Sequence, residues 1–157
     1  MQEYRKAVAR WYDTRFGVKL NPDNEVLALI GSKEGIAHIP LAFVNPGEAT
    51  LVPDPGYPVY SAATYFAGGT PLTFPLLEKN DFLPDFAYLE KLVQTGPRAR
   101  LLFLNYPNNP TSASASLDFF KEVVAFAKKH QIIVCHDNAY SEIYFDGKKQ
   151  PSFLEVP

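Results

Sequence analysis

Four short segments of this 157-residue chain carry side chains that can do chemistry, and each follows an apolar run. Gly31-Ser32-Lys33 opens a stretch of helical spacing, so its free backbone N–H groups and the helix dipole can hold a phosphate, with the Ser32 hydroxyl as a further donor. Asp137 stands at the mouth of the apolar run Ile132–Cys135, where lost hydration raises a carboxylate's pKa unless a cation or donor compensates; it suits a cationic ligand nitrogen. Tyr57 sits between Gly56 and Pro58 and offers a ring to cover a flat ligand. Asn109 and Tyr140 form a donor pair suited to a phenolate oxygen. Each also has a plain structural reading: Ser32 and Asp137 as caps, Tyr57 and Tyr140 as packing aromatics, Asn109 as a turn amide.

Other chemistries find little support. His136 neighbours Asp137, but strand alternation points the two side chains to opposite faces, which argues against a dyad. Three scattered histidines give no metal-ligand spacing, so no metal residues are assigned. Cys135, the single cysteine, reads as a small buried hydrophobe and excludes an internal disulfide. There is no Gly-x-Ser-x-Gly elbow, phosphate-binding Walker loop or dinucleotide fingerprint.

The elements that must position these residues alternate along the chain. Tyr4, Val8, Trp11, Tyr12 and Arg15 share a face at helical spacing, with Arg5, Lys6 and Arg10 turned elsewhere, in a helix that ends at Gly17. Glu25–Ile30 reads as a strand leading into the Gly31 loop and a helix over Ile36–Val44. Further strands are expected at Thr50–Pro53, Pro71–Leu76, Ala99–Leu104 and Ile132–Cys135. Helices are expected at Pro58–Phe66, at Phe86–Val93 capped by Asp85, and at Leu117–His130 capped by Ser116. The last of these should bury Leu117, Phe120, Val123, Val124 and Ala127. The alternation implies an α/β three-layer sandwich, with a mostly parallel sheet and helices on both faces.

In such a sheet, ligands bind beyond the carboxyl ends of the strands. The run Leu101-Leu102-Phe103-Leu104 stopping at Asn-Tyr-Pro-Asn-Asn-Pro-Thr fits that rule, because prolines end the strand and stiffen a polar loop. With 15 Lys plus Arg against 17 Asp plus Glu, there is no general electrostatic footprint for nucleic acid or anionic membrane. A small-molecule partner and a soluble, cytoplasmic protein are the expectation.

Taken in order, GSKEG, DPGYPVY, NYPNNPT and HDNAYSEIYFDG make the chain resemble the fold type I, class I/II pyridoxal-phosphate-dependent aminotransferases. The form around GSKEG is most similar to the branch containing LL-diaminopimelate aminotransferase and related alanine or broad-specificity enzymes. The resemblance implies that Asp137 pairs with the pyridinium nitrogen of pyridoxal 5′-phosphate and that Tyr57 stacks on its ring. It also implies that Asn109 and Tyr140 bond the 3′ oxygen, while Ser32 and Lys33, with their amides, receive the phosphate. One departure is visible: the family usually has Gly after Asn-Pro-Thr, where Ser112 stands here.

The resemblance also implies an incomplete PLP-binding large domain over residues 1–157. The family's N-terminal arm, its Schiff-base lysine in a Ser-x-Ser-Lys-like segment, and its C-terminal small domain have no counterpart in these residues. Lys148 and Lys149 lie too close to Asp137 for the lysine role, so no catalytic residue is assigned. The parent enzyme would be a homodimer acting on an amino acid and a 2-oxo acid, and this chain alone would be inactive and prone to self-association. Two alternatives stand beside this: a non-catalytic PLP-binding or interaction module, and an unrelated phosphate- or nucleotide-binding α/β protein.

Overall fold

The computed structural model describes residues 1–157. Helix α1 (Gln2–Phe16) stops where Gly17 takes a left-handed conformation, φ 69°; the Gly17 N–H bonds back to the Asp13 carbonyl and the Val18 N–H to the Tyr12 carbonyl. Helix α2 (Ser32–Phe43) leads to β1 (Ala49–Asp54), α3 (Val59–Phe66), β2 (Thr70–Pro75), α4 (Phe86–Thr95), β3 (Ala99–Asn105), α5 (Leu117–His130) and β4 (Ile133–Asp137). The expected caps are present. The Asp85 carboxylate accepts from the Ala87 N–H at 2.8 Å and the Ser116 hydroxyl from the Phe119 N–H at 3.1 Å, while Lys128, Lys129 and His130 close α5.

The four strands form one all-parallel sheet in the order β2-β1-β3-β4. Passing from β2 to β3, the chain steps back across β1, so the direction of winding reverses between β1 and β3. That crevice is the topological switch point. Side chains of β3 alternate between two cores, as a strand buried on both faces requires. Leu101 and Phe103 join Val52, Ile36 of α2 and Tyr60 of α3 on one face. Leu102 and Leu104 pack on the other against Leu89 of α4 and Phe119, Phe120 and Val123 of α5. The sandwich therefore has three layers.

Three expectations are corrected. Glu25–Ile30 is not a strand: it forms no ladder, the Glu25 N–H bonding locally to Asn21 O and the Ile30 N–H to the Glu34 carboxylate. An apolar pattern favours an extended conformation, but a strand also needs a neighbour, and here Leu27 and Ile30 face solvent at 81% and 91% exposure. In α1 the buried positions are Ala9 and Phe16, Trp11 and Tyr4 are exposed, and Arg5 donates to the Asp23 carbonyl of the following turn. In α5, Phe119 and Phe126 are buried and Leu117 is exposed, because the large aromatic rings reach Phe86 of α4.

The loop between β3 and α5 is tied by its own amides. The Asn108 side-chain oxygen accepts from the Thr111 N–H at 3.1 Å and hydroxyl at 2.8 Å, and the Ser112 N–H bonds Asn108 O at 2.8 Å. This closure leaves Ser112 at φ 62°, a left-handed conformation in which a Cβ is crowded. We predict that Ser112→Gly stabilises the fold, by up to about 1.6 kcal/mol. The gain is the ~1–2 kcal/mol cost of a left-handed side-chain-bearing residue minus the ~0.4–1 kcal/mol that glycine's extra unfolded freedom removes. A urea midpoint unchanged or lowered by the substitution would contradict it.

Candidate functional site

Three strand-end loops and one helix start meet at the carboxyl edge of the sheet. All six residues singled out from sequence, Ser32, Lys33, Tyr57, Asn109, Asp137 and Tyr140, line a single cleft of about 160 Å³, together with Ile36, Asn105 and Ala139. The cleft opens beside a larger groove of about 820 Å³ between Leu27–Leu29, α2 and the end of β4; the two share Ser32, Ile36, Asp137 and Ala139.

The α2 end of the cleft is built by Gly31, whose φ of 86° and ψ of 146° turn the chain into the helix. Glycine meets that backbone requirement without crowding. No side chain caps this N-terminus: Ser32 is the first helical residue rather than the cap, and its hydroxyl remains available to the cleft. The helix therefore presents unsatisfied N–H groups and the positive end of its dipole to whatever lies there. Lys33 adds a full charge. Its ammonium nitrogen lies 5.6 Å from the centroid of the Tyr57 ring, and Tyr57, first by hydrogen bonding and then by charge, holds Lys33 above the ordinary lysine range.

Tyr57 is placed by the turn after β1. A Cβ on Gly56 would strike the Pro53 carbonyl oxygen, so only glycine lets the chain double back closely enough to bring the ring over the cleft. Behind Tyr57 stands Tyr60, edge-on to it at 5.8 Å and stacked on Phe103 at 4.8 Å. Tyr60 is fully buried, and its hydroxyl donates to Asp137 Oδ2 at 2.9 Å. Burial and the Asp137 charge push the Tyr60 phenol far above its usual range, so it remains a donor.

Asp137 closes the opposite end. Burial raises its pKa, while the Tyr60 hydrogen bond acts the other way. Asn105, buried at the end of β3, links the two strand ends: its amide donates to Asp137 O at 2.7 Å and its carbonyl oxygen accepts from the Asn109 N–H at 2.7 Å. Asn109 is thus held by its own backbone, with its side chain exposed at the cleft. Tyr140 follows three residues after Asp137 and completes the wall.

Tyr60 and Asn105 were not singled out from sequence. The only local signal for Tyr60 was its place three residues after Tyr57, which puts both near the start of one helix. His136 faces the opposite side, bonding Tyr106 O at 3.0 Å and packing edge-on to Phe120. Burial lowers its pKa to about 4, and it makes no dyad with Asp137. Cys135 is pushed up to about 11 by burial first and by the Asp137 charge second, so its thiol is unreactive near neutral pH. Lys148 pairs with Asp146 in an exposed turn, and neither Lys148 nor Lys149 lines the cleft. No cluster of three or more His, Cys, Asp or Glu side chains is arranged to hold a metal. No helix is long and apolar enough to cross a membrane.

Residues 1–156 match a family model described as aminotransferase class I and II. The chain is 60% identical over 156 residues to the LL-diaminopimelate aminotransferase of Desulforudis audaxviator, covering 99% of this chain and 39% of that protein. It is 57% identical over 155 residues to the enzyme of the same name from Aquifex aeolicus, covering 99% and 40%. Among solved structures, substrate-bound BacF from Bacillus subtilis superposes with a TM-score of 0.93 at 41% identity, covering 100% of this chain and 39% of that one. The chain therefore spans about two fifths of the length of these relatives.

The environment of Asp137 generates a pH prediction. Its folded pKa lies above the unfolded carboxylate value, so its contribution to stability is fully present below the unfolded value, near about 3.9, and is lost as pH rises through the folded value. Asp137→Asn keeps an acceptor for Tyr60 and removes the desolvated charge. The ligand-free variant should melt higher than wild type at pH 7, and the difference should shrink as pH falls through the folded value and be gone below about 4. Thermal melts across that window check it, and a variant that is less stable at pH 7 refutes it.

Proposed function

The chain belongs to the class I and II aminotransferases, and from that membership we propose that its cleft takes pyridoxal 5′-phosphate. We read residues 1–157 as the central part of a cofactor domain, in an enzyme that moves an amino group between an amino acid and a 2-oxo acid. One observation carries the reading: a desolvated carboxylate and an uncapped helix N-terminus stand in one cleft walled by Tyr57. That donor set matches a flat ring with a cationic nitrogen and a phosphate arm.

When bound, the cofactor supplies an electron sink for the carbanion that forms at the substrate α-carbon. The residues of this chain orient it and hold its protons. Asp137 keeps the proton on the ring nitrogen, because a carboxylate short of hydration gains most from a cation beside it. Tyr60 fixes the carboxylate's rotamer by occupying Oδ2 and leaves Oδ1 free to face the ring. Tyr57 covers one ring face, while Asn109 and Tyr140 donate to the 3′ oxygen. Ser32, Lys33 and the first amides of α2 receive the phosphate.

The same reading assigns no catalytic residue here. Lys33, the cleft's one lysine, stands at the phosphate end, so this reading places the general base for the proton shift outside residues 1–157. The relatives' names make LL-diaminopimelate a candidate substrate, with alanine and similar amino acids beside it. The parent is read as a homodimer in the cytoplasm. A non-catalytic module that keeps the cleft is the second reading, favoured by the lack of any other amine in it.

A spectral titration with pyridoxal phosphate, followed by borohydride reduction and peptide mapping, tests the assignment. Wild type should show saturable binding, weakened about tenfold or more in Asp137→Ala, since hydrogen bonds to charged groups contribute about 1.5–3 kcal/mol. Scattered lysine labelling that ignores the substitution would sink the site. We also propose that the isolated chain self-associates. Leu27, which shares a groove with the end of β4, and Ile30 are exposed, and β4 is an edge strand; exposed apolar surface and an unpaired strand edge favour association. Size-exclusion chromatography with light scattering should show species above one chain, rising with concentration; a single monomer peak at all concentrations would refute it.

A further inference from the structure

Arg15, in the last turn of α1, is far from the cleft in sequence and has an 11% exposed side chain. Its Nε donates to Glu142 Oε1 at 2.9 Å, its Nη2 donates to the Gln150 carbonyl at 3.1 Å, and the guanidinium carbon lies 4.4 Å from the centroid of the Phe16 ring. One planar fork thus fastens two points of the segment that follows Tyr140. The other side-chain hydrogen bonds of that segment are local, from the Lys148 N–H to Asp146 and from Gln150 to Lys148 O. Between Ser141 and Gln150 its long-range side-chain anchorage is Arg15.

The anchor bears on Tyr140 through a short path. Glu142 is two residues beyond Tyr140, Ser141 between them is buried, and the Ile143 N–H closes a turn onto Tyr140 O at 3.0 Å. On its other side Tyr140 is three residues from the end of β4, whose Asp137 carbonyl is held by Asn105. Tyr140 is therefore suspended between a strand end and a turn, and the turn is fixed from α1. A lysine could pair with Glu142 but has no rigid fork to present separate nitrogens to Glu142 and the Gln150 carbonyl at once.

We propose that Arg15 is a positioning residue that sets the Tyr140 hydroxyl for donation to the 3′ oxygen of the bound ring. This rests on the cofactor reading above and extends it to a residue that touches no part of the cleft. It predicts that α1 is coupled to the electronic state of the ligand, not only to the stability of the fold.

The test uses pyridoxamine 5′-phosphate, which has no aldehyde and so cannot label surface lysines. The readout is the pH at which its 3′ hydroxyl ionises when bound, followed by absorbance. Tyr140→Phe should raise that midpoint by about one pH unit, because a donor to the phenolate is lost. Arg15→Ala should raise it in the same direction by at least half as much, and the double variant should go no further than Tyr140→Phe. Arg15→Lys and Glu142→Gln should fall between wild type and Arg15→Ala, and they decide the matter if Arg15→Ala does not fold. A melting temperature that drops while the midpoint stays at its wild-type value would show Arg15 to be a structural clasp and overturn the proposal, as would fully additive shifts. Failure of the wild-type chain to bind the probe at all would instead overturn the cofactor reading, and this proposal with it.

Discussion

A carboxylate at the end of a parallel strand has little water and few donors, and the side chains around Asp137 are arranged about that deficit. The strand has to end in the crevice between layers, since both faces of a parallel sheet are covered by helices. Asp137 is consequently desolvated, and the one donor it receives from the protein is the Tyr60 hydroxyl. That hydroxyl is dependable because its own surroundings allow it no other state: Tyr60 is fully buried, stacked on Phe103, and kept protonated by the charge it serves. Its backbone is fixed in turn, the Thr64 hydroxyl donating to Tyr60 O at 2.8 Å and meeting Thr50 of β1 at 2.7 Å. A polar chain thus runs from the buried centre of the sheet to the carboxylate in the cleft.

Around this axis the backbone does the remaining positioning. Asn105 lies where β3 loses its ladder, and its side chain satisfies two groups that the sheet no longer pairs, the Asp137 carbonyl and the Asn109 N–H. A buried amide that makes both bonds offsets its own desolvation, and losing it would leave two buried groups unpaired. The result is that β3, β4 and the Asn109 loop are tied together through one side chain. At the opposite end the requirement is reversed: Gly31 turns the chain and has no side chain to cap α2, so the first amides of the helix stay unpaired, while the Glu34 carboxylate reaches back only to the Ile30 N–H. The cleft therefore has one end deficient in positive charge and one deficient in negative charge.

What could be read from the sequence was what local chemistry decides. Asp85 and Ser116 cap the helices they precede, Gly17 ends α1, and the apolar runs that became β1, β2, β3 and β4 lie within two residues of their expected limits. The six cleft residues were legible as types at strand ends, and their convergence followed from parallel topology. Partnership across the fold was less legible. Glu25–Ile30 has a strand's composition, but no property of those six residues reports whether a neighbour pairs with them. The inward face of α1 depends on Asp23 and on the tail segment around Gln150, which its own periodicity cannot encode. Tyr60 was one tyrosine among nine until the fold placed Asp137, 77 residues away, against its hydroxyl.

The same electrostatics link the site to the stability of the fold. A carboxylate held above its usual pKa is a cost in the ligand-free chain at neutral pH, and a cation placed against it removes that cost. Hydrating Asp137 would relieve the fold but weaken the attraction its carboxylate offers a cation. Lys33 shows the complementary case. It is solvent-facing and held charged by Tyr57, and it contributes attraction for an anion without taxing the core. The division has a structural reason: the strand end is enclosed by two layers and the start of α2 is not. Stored strain in the electrostatic sense therefore resides at the Asp137 end of the cleft, while the α2 end is left open and inexpensive.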